Sequence, residues 1–327
     1  MREGFRQAMA WLHTWAGLIF GWLLFAIFLT GTLAYFKEEI SHWMQPEVQT
    51  HPVDDVRSLT VAQQYLQANA PTAARWFINL PDAREPGLSV MWQDKVDPGQ
   101  RGNFMRKTLD PVSGLAVQAR ESMGGEFFYR FHFQLQMPYP WGRWLSTLAA
   151  MVMFVALITG IITHKKIFKD FFTFRPRKGQ RSWLDGHNAV GVLVLPFHLM
   201  ITYSSLVIFM AMVMPASILA SYNGDVRAFY DEVFPASKTP EPANRAAPLS
   251  PMAPLLAKAS EQWAGGSTAR LTVNNPGDAN ASVVLSRRGD RVVHDFGRAV
   301  TFNGVTGERL GSTPEQPVAQ GSQRASQ

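Results

Sequence analysis

Residues 15–36 read WAGLIFGWLLFAIFLTGTLAYF, 22 positions without a single charge. At about 1.5 Å per helical residue, such a run crosses a hydrocarbon core of about 30 Å. It is therefore read as a membrane-spanning helix. The competing reading is a cleaved signal peptide, but the apolar core of a signal runs only about 7–15 residues. Two more runs share the property, at residues 144–163 and 189–214, and Trp141, Trp144 and Trp183 stand where indoles collect at a membrane–water interface. The expected architecture is an α-helical membrane bundle of three spans, with ordinary polar sequence between them. That alternation accounts for a mean hydropathy of only −0.06.

Charge orients the spans. The net charge of +6 and isoelectric point near 9.6 would admit nucleic acid as a partner. However, Lys165, Lys166, Lys169, Arg175, Arg177, Lys178 and Arg181 crowd one short connection against the single acid Asp170. Basic loops stay on the cytoplasmic side, and Arg2 and Arg6 place the N-terminus there too. The chain then divides into a first helix within 1–36, an external module at 37–143, a second helix at 144–163, a cytoplasmic basic loop at 164–188, a third helix at 189–214, a second external module at 215–310, and a tail at 311–327. In a bacterium the external side of the inner membrane is the periplasm. The tail, polar and rich in Gln and Ser, reads as disordered or as a linker.

The external segments resemble each other. Thr108-Leu-Asp-Pro-Val-Ser-Gly-Leu-Ala-Val117 aligns with Thr301-Phe-Asn-Gly-Val-Thr-Gly-Glu-Arg-Leu310. Each follows a helical pattern (61–68 and 252–263), and alternating strands such as 270–273 and 282–286 lie before the second turn. The reading is a duplicated small α+β module, against chance similarity of two β-turns.

With no cysteine, the chain has no disulfide, iron–sulfur cluster, zinc-thiolate site or thioether-bound haem. A redox metal has to sit on other ligands, and the eight histidines are the informative ones. His187 and His198 are 11 positions apart. On a helix that is within about 20° of one face, with a rise of about 16 Å, so each imidazole is a candidate axial ligand of a separate haem iron. Ionisable groups inside spans are rare and functional by default; the bland alternative is a buried histidine bonded to a carbonyl, or for His187 an interfacial one beside Asp185 and Asn188. His13 is followed on its own face by Gly17 and Gly21, His187 by Gly191, and His164 is preceded by Gly160. Glycine four residues from an axial histidine leaves room for a flat macrocycle, although glycines so spaced also serve helix–helix packing. His132 lies in Phe127-Phe-Tyr-Arg-Phe-His-Phe-Gln-Leu135, placed to reach a haem shared with His198 or simply to anchor at the interface. His42, His51 and His294 read as surface residues. Dinucleotide, P-loop and GxSxG patterns are missing, as are paired intramembrane carboxylates, which speaks against a soluble hydrolase or kinase.

Leu12-His-Thr-Trp-Ala-Gly-Leu18, Leu29-Thr-Gly-Thr32, Phe131-His-Phe133, Ile158-Thr-Gly-Ile161 with His164, Leu184-Asp-Gly-His-Asn188 and Leu195-Pro-Phe-His198 together resemble the PepSY-associated transmembrane proteins, and within them the FoxB-type ferric-siderophore reductases. The resemblance spans nearly the whole chain. It implies two PepSY-like modules on the periplasmic face, with their turns at 110–114 and 303–307. It also implies bis-histidine haem b, two groups expected, with axial ligands among His13, His132, His164, His187 and His198. The implied activity is reduction of a ferric siderophore to release ferrous iron, fed by a quinol or a cytoplasmic reductant. The alternative is a non-enzymatic regulator of a peptidase or transporter. Such proteins commonly carry a further span after the second module; the polar tail is read as a truncation or as the absence of that helix, together with any ligand it would bring.

Overall fold

The computed structural model describes residues 3–48, 54–84, 87–95, 103–164, 166–233, 239–289 and 298–312. His51, His294 and the tail from 313 onward lie outside them. The chain divides into two compact units, one of residues 1–41 and 123–226, the other of 42–122 and 227–327.

The first unit holds the long helices. Helix α1 (Glu3–Ala34) packs against α5 (Trp141–Thr163), α5 packs against α7 (Gln180–Ile208), and the short α4 (Glu126–Gln134) lies on α1 and α5. All three long helices are long and apolar enough to cross a membrane. Each extends beyond its charge-free run: α1 begins at Glu3 rather than 15, and α7 begins at Gln180 rather than 189. The helix continues because its backbone bonds are satisfied internally in water and in lipid alike, while absence of charge marks only the part inside hydrocarbon. The short α6 (Ile167–Phe171) lies between α5 and α7 in sequence; at its far end α7 stops at Ile208, and α8 (Met210–Val213), α9 (Pro215–Tyr222) and α10 (Val226–Val233) follow as separate pieces. Gly142 lets α5 start against the end of α4, since an added Cβ there would fall on the Gln134 carbonyl oxygen.

Helix α2 (Lys37–Met44) straddles the division, and the amphipathic α4, expected to belong to the first external module, groups with the long helices instead. Its apolar face finds cover there: Phe133 and His132 line a pocket with Ile27 of α1 and Ser146 of α5.

The second unit is one antiparallel sheet of seven strands in the order β3-β2-β1-β4-β5-β6-β7. The strands are β1 (Arg75–Asn79), β2 (Leu88–Gln93), β3 (Phe104–Leu109), β4 (Thr268–Asn274), β5 (Ser282–Arg287), β6 (Ala299–Asn303) and β7 (Arg309–Ser312). Gly311 and Ser312, expected in the tail, thus belong to a strand. Helix α3 (Asp55–Asn69) precedes β1, and α11 (Ala253–Gln262) precedes β4. Shifting the first copy by 193 residues, which lays Thr108 on Thr301, brings β1 onto β4, β2 onto β5 and β3 onto β6 within a few positions. The duplication is real, but the two copies are not two separate bodies. β1 pairs with β4 about Phe77↔Thr272, so the edge that each copy would expose is closed by the other. Both helices bury the same face: Leu59, Leu66, Leu255 and Trp263 pack with Trp76, Ile78, Leu271, Val283 and Phe302 in one core.

The turns repeat atom for atom. Asp110 Oδ1 accepts the N–H groups of Val112 (3.0 Å) and Ser113 (2.7 Å), and Asn303 Oδ1 accepts those of Val305 (2.8 Å) and Thr306 (2.9 Å). Gly114 and Gly307 close them at φ of +72° and +69°, a conformation that costs a residue bearing Cβ.

Candidate functional site

Four of the five candidate histidines line one cavity of about 640 Å³ between α1, α5 and α7. Its walls are otherwise mostly apolar, from residues such as Met153, Leu157, Val194 and Leu195.

His13 reaches across from α1, and its Nδ1 lies 2.9 Å from the Ala156 carbonyl oxygen of α5. A carbonyl only accepts, so Nδ1 carries the proton and Nε2 is left as the basic nitrogen. The His13 ring also explains Gly160. A Cβ at that position would stand 3.1 Å from His13 Cε1, so this glycine makes room for the imidazole, and it also lines the cavity. Gly17 and Gly191 behave differently. Both line the cavity, and a Cβ on either meets no atom within 4 Å. Gly21 also faces open space, so neither Gly17 nor Gly21 serves as a close helix–helix contact among the described residues.

His187 faces His13 with ring centres 6.1 Å apart and planes at 64°. Two imidazoles that hold one metal from opposite sides stand about 6 Å apart, from about 2 Å per metal–nitrogen bond and about 1 Å from each nitrogen to its ring centre. The polar sequence neighbours of His187 bond to other groups. Asp185 takes a two-pronged bond from Arg175 (2.7 and 2.8 Å), and the Asn188 amide points to the Ile167 carbonyl (3.5 Å). His164 sits at the end of α5, its N–H bonded to Gly160 O at 3.1 Å, and lines the same end of the cavity. His198 closes the opposite end, its ring 4.8 Å from that of Phe28.

His132 does not join them. It lines a neighbouring pocket of about 80 Å³, with Nδ1 2.8 Å from the Ile27 carbonyl oxygen and its ring seated on Gly31. His132 and His198 thus line different hollows, with Phe28 bordering the smaller one. His42 is exposed on α2. Among the described residues no three His, Asp or Glu side chains converge on a bare metal ion.

The cavity meets the requirements of a flat, apolar, metal-centred group at the His13–His187 end: paired imidazoles at the right spacing, a fixed tautomer on one of them, and glycines that leave volume open. Its size is within the roughly 300–1,000 Å³ of cofactor sites. The small His132 pocket has no such volume. Three participants escaped sequence reasoning. Ala156 and Ile27 meet their histidines through main-chain carbonyl oxygens, which carry no side-chain signal, and Phe28 is one of 22 phenylalanines with nothing to mark it.

A three-helix membrane bundle with a histidine-lined cavity, carrying a duplicated α+β sheet, is the class of protein that these features define. The chain belongs to the family described as PepSY-associated TM region, which it matches over residues 10–321. No curated protein matches it.

Proposed function

We propose that the protein binds b-type haem in the cavity between α1, α5 and α7 and passes electrons to a ferric siderophore. The observation that supports this most directly is the pair His13 and His187, 6.1 Å between ring centres, across an apolar hollow edged by Gly17 and Gly191. When bound, the group would supply a one-electron iron couple whose potential responds to axial ligation and burial.

The chain's own residues do the rest. His13 and His187 would hold the group through their imidazoles, and the Ala156 carbonyl orients the first of them, as the outer partners of metal-bound histidines do. Apolar side chains around them exclude water. His198, at the far end, is the candidate base for a second group. His164 lines the same cavity as the first pair. Delivery of one electron to the ferric ion of a siderophore leaves a ferrous ion that hard oxygen donors hold less tightly. The likeness to FoxB-type reductases in the motifs at 12–18, 158–164 and 184–198 supports this choice of acceptor. The basic connection between α5 and α7 supports a bacterial inner-membrane protein with a cytoplasmic N-terminus and the sheet in the periplasm.

The test is an absorption spectrum of the purified chain, followed by stopped-flow mixing of the reduced protein with a ferric hydroxamate chelate. A low-spin Soret band that reoxidises as a ferrous trap colours is the expected result. A preparation from haem-replete cells without that band would end the reductase reading and favour the regulatory alternative.

A further inference from the structure

The segment that joins α5 to α7 is held at both ends by helices fit to cross a membrane, so it lies at the membrane surface whatever the cavity binds. Lys166, Lys169, Arg177, Lys178 and Arg181 are all exposed there. Interleaved with them, Phe168, Phe172 and Phe174 are 71%, 84% and 58% exposed. Arg175 is the exception among the cations. Its guanidinium and its N–H are both bonded to Asp185. Ser182 Oγ donates to the Arg175 carbonyl (2.6 Å) and accepts the Lys178 N–H (2.8 Å). These bonds close residues 175–182 into a built turn that presents Arg177, Lys178 and Arg181 together.

We propose that this loop is a docking site for anionic phospholipids, with headgroup phosphates held by the five cations and the three phenylalanines inserted among the acyl chains. Charge by itself suits any anion. Three large apolar side chains left in the open beside it, at the height of the bilayer surface, suit a lipid. The inference stands apart from the cofactor reading, since none of these eight side chains lines the histidine cavity.

The test uses the full chain in nanodiscs of phosphatidylcholine alone or with phosphatidylglycerol. Phosphatidylglycerol should raise the unfolding midpoint and be retained by the protein in native mass spectrometry. The triple variant Arg177→Gln, Lys178→Gln, Arg181→Gln should keep the midpoint in phosphatidylcholine and lose retention by about tenfold or more, given the attraction of juxtamembrane cations to anionic lipid. A control pair on β3, Arg106→Gln with Lys107→Gln, should retain the lipid fully. Equal loss in the control, full retention in the triple variant, or the same stabilisation from soluble glycerol phosphate would each overturn the proposal. Should the triple variant fail to fold, salt decides on the wild type: retention that does not fall between low and 0.5 M salt, where the screening length shrinks to a few ångströms (about 3 Å at 1 M), also overturns it.

Discussion

A histidine whose Nδ1–H is bonded to a main-chain carbonyl has one nitrogen left for chemistry, and two residues here are in that state. His13 is bonded to Ala156 and His132 to Ile27, yet only His13 faces another imidazole. If His13 and His187 hold one group together, their effects are non-additive: His13→Ala and His187→Ala should each remove the same low-spin haem, and the double variant should lose no more. Pyridine-haemochrome stoichiometry checks this. His198→Ala should leave that low-spin signal in place, because His198 is at the opposite end of the cavity. Full haem content in both single variants would assign the two rings a structural role.

At the scale of elements, the glycines separate two kinds of helix contact. Gly160 is pressed by the His13 ring, whereas a Cβ at Gly17 or Gly191 meets only open space. Gly191→Ala should therefore leave the fold as stable as before or better by about 0.5–1 kcal/mol, since glycine is a poor helix residue. Gly191→Leu should fold and lose most of its haem as the side chain fills the cavity, read as Soret absorbance per protein at an unchanged unfolding midpoint. A drop in midpoint with haem retained would restore the packing role. The sheet offers a paired test. Gly114→Ala and Gly307→Ala should each cost about 1–2 kcal/mol for the left-handed backbone. Gly114 is the costlier, because its Cβ would also press on Val61 at 3.1 Å, and denaturant titration of the two variants reads the difference.

For the whole molecule, strand pairing constrains membrane topology without any appeal to charge. β1 lies between α1 and α5 in sequence and β4 lies after α7, yet they pair residue for residue. If α5 and α7 both cross a membrane, the two strands are expected on one side of it and the basic loop on the other. Alkaline phosphatase fused at position 90 or 277 should be active, and at position 175 inactive. Activity at 175 would reverse the orientation, and unequal activity at 90 and 277 would contradict the shared sheet.

Much of this was legible along the chain because it is local. Absence of charge over 22 residues reveals a span, the spacing of His187 and His198 reveals a common face, and Asp110 with Gly114 and Asn303 with Gly307 reveal one turn used twice. Each of these is read within one continuous stretch of chain. Tertiary structure alone decided the partnerships. Which imidazole faces His187, that Gly160 serves His13, that His132 is housed apart with Ile27, and that two modules fuse along β1 and β4 are all contacts between residues roughly a hundred or more positions apart in sequence. Helical and strand periods say which face a side chain occupies, and they carry no information about what meets that face once the chain has folded back on itself.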